Sequence, residues 1–304
     1  MAAISTTLIS LLSKDDVLVA MKDIYGGTAS LLSRTLPHMG IDVQWLELAE
    51  DGSLRGDVKG ANVMFLESPT NPVLRLLDVR SAVRMASEVG AITVMDNTFA
   101  TPIDQRPIGM GVDVVVHSAT KYLNGHSDLV GGAAVGRHEL IERIAEGWRM
   151  LGGVTDPRAA YLLNHGMMTI DVRMRRHNAN ALDVARFLEG HPHVSRVHYL
   201  RLGSHPQHVL AEETMDGHGG VLSFMVEGGR VAAESLMRSL QMVTVTPSLG
   251  GVESLVSMPL STSHHAPTRE ERGGIGTPDG MIRFSIGIEP VEGIIEDLRR
   301  ALGD

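Results

Sequence analysis

The sequence predicts an α/β fold: a mostly parallel sheet covered on both faces by helices, followed by a smaller α+β unit. Three observations carry that expectation. Short apolar runs alternate with helical patterns between Asp16 and Val135. That alternation of strand and helix suits a parallel sheet covered on both faces. After about Gly166 one long helical pattern leads into separated strands and helices.

Taken in order, residues 1–12 are apolar enough to suggest a secretory signal. They lack a basic leading segment and a small-residue cleavage site, so they read as a half-buried helix. Residues 17–20 read as a strand and 26–36 as a helix. Residues 62–66 form a second strand, 79–89 a helix, 91–95 a strand and 112–116 another. The later part opens with a helix over 167–189. Strands follow near 194–199 and 221–226, then a helix over 231–240, a strand over 281–286 and a closing helix over 291–302. The expected division is 1–165 for the larger domain and 166–304 for the smaller. No internal repeat or low-complexity tract interrupts it.

Composition excludes several functions. The net charge is -9, and no Lys/Arg-dense run offers a nucleic-acid surface. The chain has no cysteine, which removes disulfides, thiolate catalysis and Cys-type zinc sites. That absence is compatible with a reducing compartment, and the cytoplasm is the expected location. No run of about twenty apolar residues is present, so no membrane span is expected. There is no GxxxxGK[ST] loop and no strand-linked GxGxxG, which disfavours a nucleotide enzyme such as an NAD-type dehydrogenase. His264 and His265 are adjacent but lack a second cluster, and no metal site is expected. The seventeen methionines read as core filler. Gly131-Gly132 reads as a tight turn or a close-packing point.

In parallel sheets ligands sit beyond the carboxyl ends of the strands. Three polar clusters occur there: Glu67-Ser68-Pro69-Thr70-Asn71-Pro72, Asp96-Asn97-Thr98 and His117-Ser118-Ala119-Thr120-Lys121. Lys121 is the candidate nucleophile; its amine attacks a carbonyl only when neutral, which burial beside a cation favours. Ser118 and Thr120 lie on a turn whose hydroxyls and N–H groups can cradle a phosphate. Asp96 can keep a pyridine nitrogen protonated, and Tyr25 can stack on a ring. Taken singly, each is more often a turn, cap, packing or surface residue. The ordered set on successive strand ends outweighs those readings.

Asp96-Asn97-Thr98-Phe99-Ala100-Thr101-Pro102, His117 through Leu123 and Gly125-His126-Ser127-Asp128 resemble the trans-sulfuration family of Cys/Met metabolism. Asp23 through Thr28, Glu67 through Pro72, Ser204 through His208, Ser248 through Leu255 and Arg283 through Glu289 match in the same order, across nearly the whole chain. The resemblance implies a type I PLP-dependent, aspartate-aminotransferase-like fold and pyridoxal 5'-phosphate (PLP) as cofactor. It implies Lys121 as the Schiff-base lysine and Asp96 as partner of the ring nitrogen. Tyr25 would stack on the ring and assist proton transfer. Ser118 and Thr120 would bind the phosphate, with Thr98 and Met1 as further cofactor contacts. Arg283 would grip the substrate carboxylate, aided by Asn71 and Ser248.

The expected reaction is carbon–sulfur cleavage by γ-elimination on cystathionine or a related thioether amino acid. The alternative is γ-replacement, as in cystathionine γ-synthase or homoserine-ester sulfhydrylases. The expected assembly is a homo-oligomer, a dimer of dimers. Relatives carry an upstream Tyr-x-Arg arm and a Ser-Gly pair that contribute to the phosphate site, and neither precedes Met1. A truncated product or a mis-assigned start is therefore expected, and a catalytically impaired paralogue is the competing class. Gly27 stands where methionine γ-lyases usually have cysteine, and Pro247 where cystathionine γ-lyases usually have an acidic residue.

Overall fold

The computed structural model describes residues 1–259 and 280–303. Seven strands form the larger sheet: β1 (Val17–Met21), β2 (Asp42–Leu48), β3 (Leu54–Arg55), β4 (Ala61–Glu67), β5 (Ile92–Asp96), β6 (Val114–Ser118) and β7 (Gly132–Gly136). Their order is β3-β2-β1-β4-β5-β6-β7. The five central strands run parallel, and short antiparallel strands close both edges. Val63, Met64, Phe65 and Leu66 of β4 are all fully buried, which explains the unbroken apolar run. Each such side chain contributes about 1.5–3 kcal/mol by leaving water.

The helix Val79–Val89 covers this sheet between β4 and β5. Asp78 caps its start by accepting the Ser81 N–H at 3.0 Å, and Gly90 ends it at φ 73°. The first helix, α1 (Ala2–Leu11), buries Ile4, Leu8 and Leu11 against the same core. Its approach to β7 is close: a β-carbon at Gly132 would lie 2.7 Å from Cβ of Ala3. Close packing is thus what Gly132 serves.

The second sheet has the order β10-β11-β12-β9-β8. It comprises β8 (Val194–His198), β9 (Val221–Val226), β10 (Thr244–Val245), β11 (Leu255–Ser257) and β12 (Met281–Ser285). The helices Ile170–Glu189, Gly229–Ser239 and Val291–Leu302 pack on it around Val184, Phe224, Phe284 and Ile294.

Three expectations need correction. The helix expected over 167–189 starts at Ile170 and runs to Glu189, and an unexpected helix, Pro157–Met167, precedes it. That preceding helix passes close to the Asn124 backbone, where a β-carbon at Gly166 would sit 2.3 Å from the carbonyl oxygen. The helix expected over 26–36 is a short α-helix, Gly26–Ser30, then a wider turn and a 3₁₀ turn containing Pro37. The methionines are not uniformly core filler. Met21, Met64, Met95 and Met174 are fully buried, whereas Met150 and Met168 are 87% and 71% exposed. His264 and His265 lie outside the described residues. Among the described residues, no helix is long and apolar enough to cross a membrane, and no group of three or more His, Asp or Glu is placed to hold a metal ion.

Candidate active site

From β1 the chain passes to β2 on one side and later to β4 on the other, so the crevice between β1 and β4 is a topological switch point. The carboxyl ends of the central strands deliver the candidate residues there. Tyr25 follows β1, Glu67 ends β4, Asp96 ends β5 and Ser118 ends β6, with Thr120 and Lys121 just beyond. All of them line one cavity of about 660 Å³. The second sheet supplies its far wall through Ser248 and, from β12, Arg283. Asn71, Met1 and Thr98 also line it. The structure therefore brings together every site residue expected from the sequence.

Lys121 sits at a break in the turn after β6, with φ -88° and ψ -135°. Its Nζ donates to Ser248 Oγ at 2.6 Å. Burial, and next the Arg283 guanidinium, hold this amine down at about 8. Ser248 has φ 120°, a region that L residues seldom occupy, so the backbone is strained at the point where its hydroxyl meets Lys121.

Arg283 is 5% exposed. One amino group donates to the Ser248 carbonyl at 2.9 Å and to Ser257 Oγ at 3.2 Å, and the other reaches Asn71 Oδ1 at 3.4 Å. Its Nε has no hydrogen-bond partner, and no carboxylate among the described residues pairs with it. Burial lowers it to about 10. A buried guanidinium with only neutral partners is suited to an incoming carboxylate.

Asp96 Oδ1 accepts the Thr98 N–H at 2.9 Å and the Thr98 hydroxyl at 2.5 Å. Burial raises Asp96, and these two bonds oppose the rise. Thr98 Oγ1 also accepts the Ser118 N–H at 2.9 Å, so this hydroxyl joins the ends of β5 and β6. Thr120 Oγ1 accepts the Gly131 N–H at 2.9 Å and donates to the Gly131 carbonyl at 3.2 Å. Tyr25 lies over Gly27, where a β-carbon would fall 2.5 Å from the ring. Met1 precedes α1, and its carbonyl accepts the Ser5 N–H at 2.9 Å. The N–H groups of the first turn have no partner within the helix, and this end of α1 lines the cavity.

Sequence reasoning quoted Glu67 within a motif but gave it no role. It is 6% exposed and its Oε2 accepts the Tyr25 N–H at 2.7 Å. An acidic residue directly after the apolar run 63–66 is the feature that could have marked it. His117, also on the wall, is held neutral by burial near 4, and its Nδ1 has no partner.

The residues fit PLP chemically. A helix N-terminus with nearby hydroxyls suits a phosphate, a buried carboxylate suits a protonated ring nitrogen, and a depressed lysine suits an aldehyde. The model for the Cys/Met metabolism PLP-dependent enzyme family matches residues 1–303. The chain belongs to this family. It is 39% identical over 306 residues to an L-methionine gamma-lyase of Fusobacterium nucleatum subsp. nucleatum, covering 99% of this chain and 78% of that protein. It is 38% identical over 304 residues to a cystathionine beta-lyase of Coxiella burnetii, covering 99% and 79%. Among solved structures it resembles cystathionine gamma synthase from Xanthomonas oryzae pv. oryzae in complex with cystathionine. That match has a TM-score of 0.93 and 38% identity, over 99% of this chain and 79% of the other. As a family member the chain is a PLP-dependent enzyme, and its fold is the α/β architecture of these relatives.

Proposed function

We propose that this chain is a carbon–sulfur lyase that carries out γ-elimination on cystathionine or a related thioether amino acid. The observation that carries the reading is the pairing of Lys121, a buried amine, with Arg283, a buried guanidinium without a counter-ion among the described residues, in one cavity. PLP, when bound, supplies an electron sink for charge at the substrate α-carbon. Lys121 would hold it, Asp96 would serve its ring nitrogen, and Tyr25 would stack on the ring. Ser118, Thr120, Thr98 and the Met1 end of α1 would hold its phosphate.

Arg283 takes the substrate carboxylate in a forked pair, with Asn71 and Ser248 steadying the guanidinium. Lys121, neutral to a useful extent because it is depressed to about 8, accepts the α-proton. Ser248 Oγ, at 2.6 Å, keeps that amine aimed into the cavity. Tyr25 assists the transfers at the mouth. A β-proton is removed next, the electron pair left at Cβ forms the Cβ–Cγ double bond as the bond between Cγ and sulfur breaks, the thiol leaves with a proton, and water completes release of a 2-oxo acid and ammonia.

A homo-oligomer in the cytoplasm accords with this reading. Exposed apolar residues such as Met150, Val154, Tyr161, Met168 and Val172 favour self-association. The second reading is γ-replacement, favoured by the likeness to cystathionine gamma synthase. Incubation with cystathionine and no added thiol separates the two. Elimination gives 2-oxobutanoate, cysteine and ammonia, whereas a replacement enzyme gives little 2-oxo acid and, once a thiol is supplied, exchanges the γ-substituent to form a new thioether amino acid.

A further inference from the structure

Strand pairing sets two buried carboxyl groups side by side. Glu67 ends β4, Asp96 ends β5, and they are register partners in neighbouring parallel strands. They are 6% and 8% exposed, and neither has an ion-pair partner among the described residues. We propose that Glu67 is a positioning residue: it stays protonated beside an ionised Asp96, so that the pair offers the cofactor ring one negative charge, while its Oε2 anchors the backbone of Tyr25. This deepens the reading above and rests on it, since Asp96 and Tyr25 are taken there as cofactor contacts.

The neighbouring charges decide which carboxyl keeps the proton. Asp96 has two donors from Thr98, and both favour its charged form. Glu67 has the Tyr25 N–H, but it faces Asp96 and also Asp23 from the loop after β1. Asp23 is itself paired with Arg75 at 2.8 Å. His117 is held neutral, and Lys121 lines the same cavity. Burial first, and Asp96 second, hold Glu67 well above the usual carboxylate range. Two charges on adjacent strand ends would lack any compensating cation at hydrogen-bond distance. A protonated Glu67 still accepts the Tyr25 N–H and fixes the entry to the helix Gly26–Ser30 without adding charge.

The test uses the full chain as wild type, Glu67→Gln, Glu67→Ala and Asp96→Asn. Infrared spectra of the cofactor-free proteins at pH 7 read the C=O band of a protonated carboxyl. A Glu67 component of that band, read as the difference between the wild type and each Glu67 variant because Asp104 also contributes near pH 7, is expected, and it should be retained in Asp96→Asn with its titration midpoint moved to lower pH. Dissociation constants for PLP give the second readout. Glutamine keeps the oxygen that serves Tyr25, so Glu67→Gln should stay within about threefold of wild type while Glu67→Ala weakens about tenfold. A wild type with no Glu67-dependent band, or a Gln variant as weak as the Ala variant, would overturn the proposal. Failure of the cofactor reading has a different signature: no protein would show the visible band of lysine-bound PLP, and the infrared band would still report on Glu67.

Discussion

Lys121 should react as an amine that is half neutral near pH 8. A lysine amine ordinarily titrates near 10.5, and burial with help from Arg283 holds this one at about 8. At pH 7 the neutral fraction then rises from about 1 in 3,000 to about 1 in 11, a gain of about 300-fold. Pulsed acylation of the cofactor-free protein measures this directly. The Lys121 peptide is quantified by mass spectrometry from pH 6 to 11, against a lysine-containing reference peptide in the same tube. Half-maximal labelling is expected near pH 8 with a plateau above, while the reference keeps rising towards its ordinary midpoint. Replacing Arg283 with Gln should raise the midpoint only part of the way back, because burial is the larger cause. A Lys121 midpoint coinciding with that of the reference would refute the reasoning.

Other perturbations have equally definite outcomes. Arg283→Lys removes the planar fork and should raise KM for the amino acid about 10–100-fold, read from initial rates with PLP saturating. Gly132→Val places side-chain atoms where Ala3 already sits, so α1 must retreat and PLP retention during dialysis should fall. Phe65→Ala in β4 should lower the unfolding free energy by about 3–5 kcal/mol in urea titrations. Asp104, raised by burial to about 7, binds a proton more tightly in the folded chain than in the unfolded one. Stability should therefore fall as pH rises from about 4 to about 7, and Asp104→Asn should flatten that slope in thermal melts.

The central strands of the larger sheet were legible because they are largely buried and so mostly apolar. β4 and β5 appear within a residue or two of their expected places. The edge strand β7 was not legible. Its Gly-Ala-Ala-Val-Gly run resembles a turn, and it becomes a strand only by pairing with β6 and accommodating Ala3. The helix Pro157–Met167 was not legible either; its Gly166 packs close to the Asn124 backbone, a contact distant in sequence that no local period reports. The site residues were legible as motifs at strand ends. The sequence could not show that Ser248 would meet Lys121 from a strained backbone, or that Arg283 would lack a counter-ion among the described residues, since both depend on how the second sheet faces the first.

The most direct measurement is to load the full chain with PLP, reduce it with borohydride, digest it and map the modified residue by mass spectrometry. The pyridoxyl group is expected on the peptide at Lys121 alone, and Lys121→Ala should leave no peptide modified. Attachment at another lysine, or none in the wild type, would contradict the assignment of that amine as the cofactor's anchor.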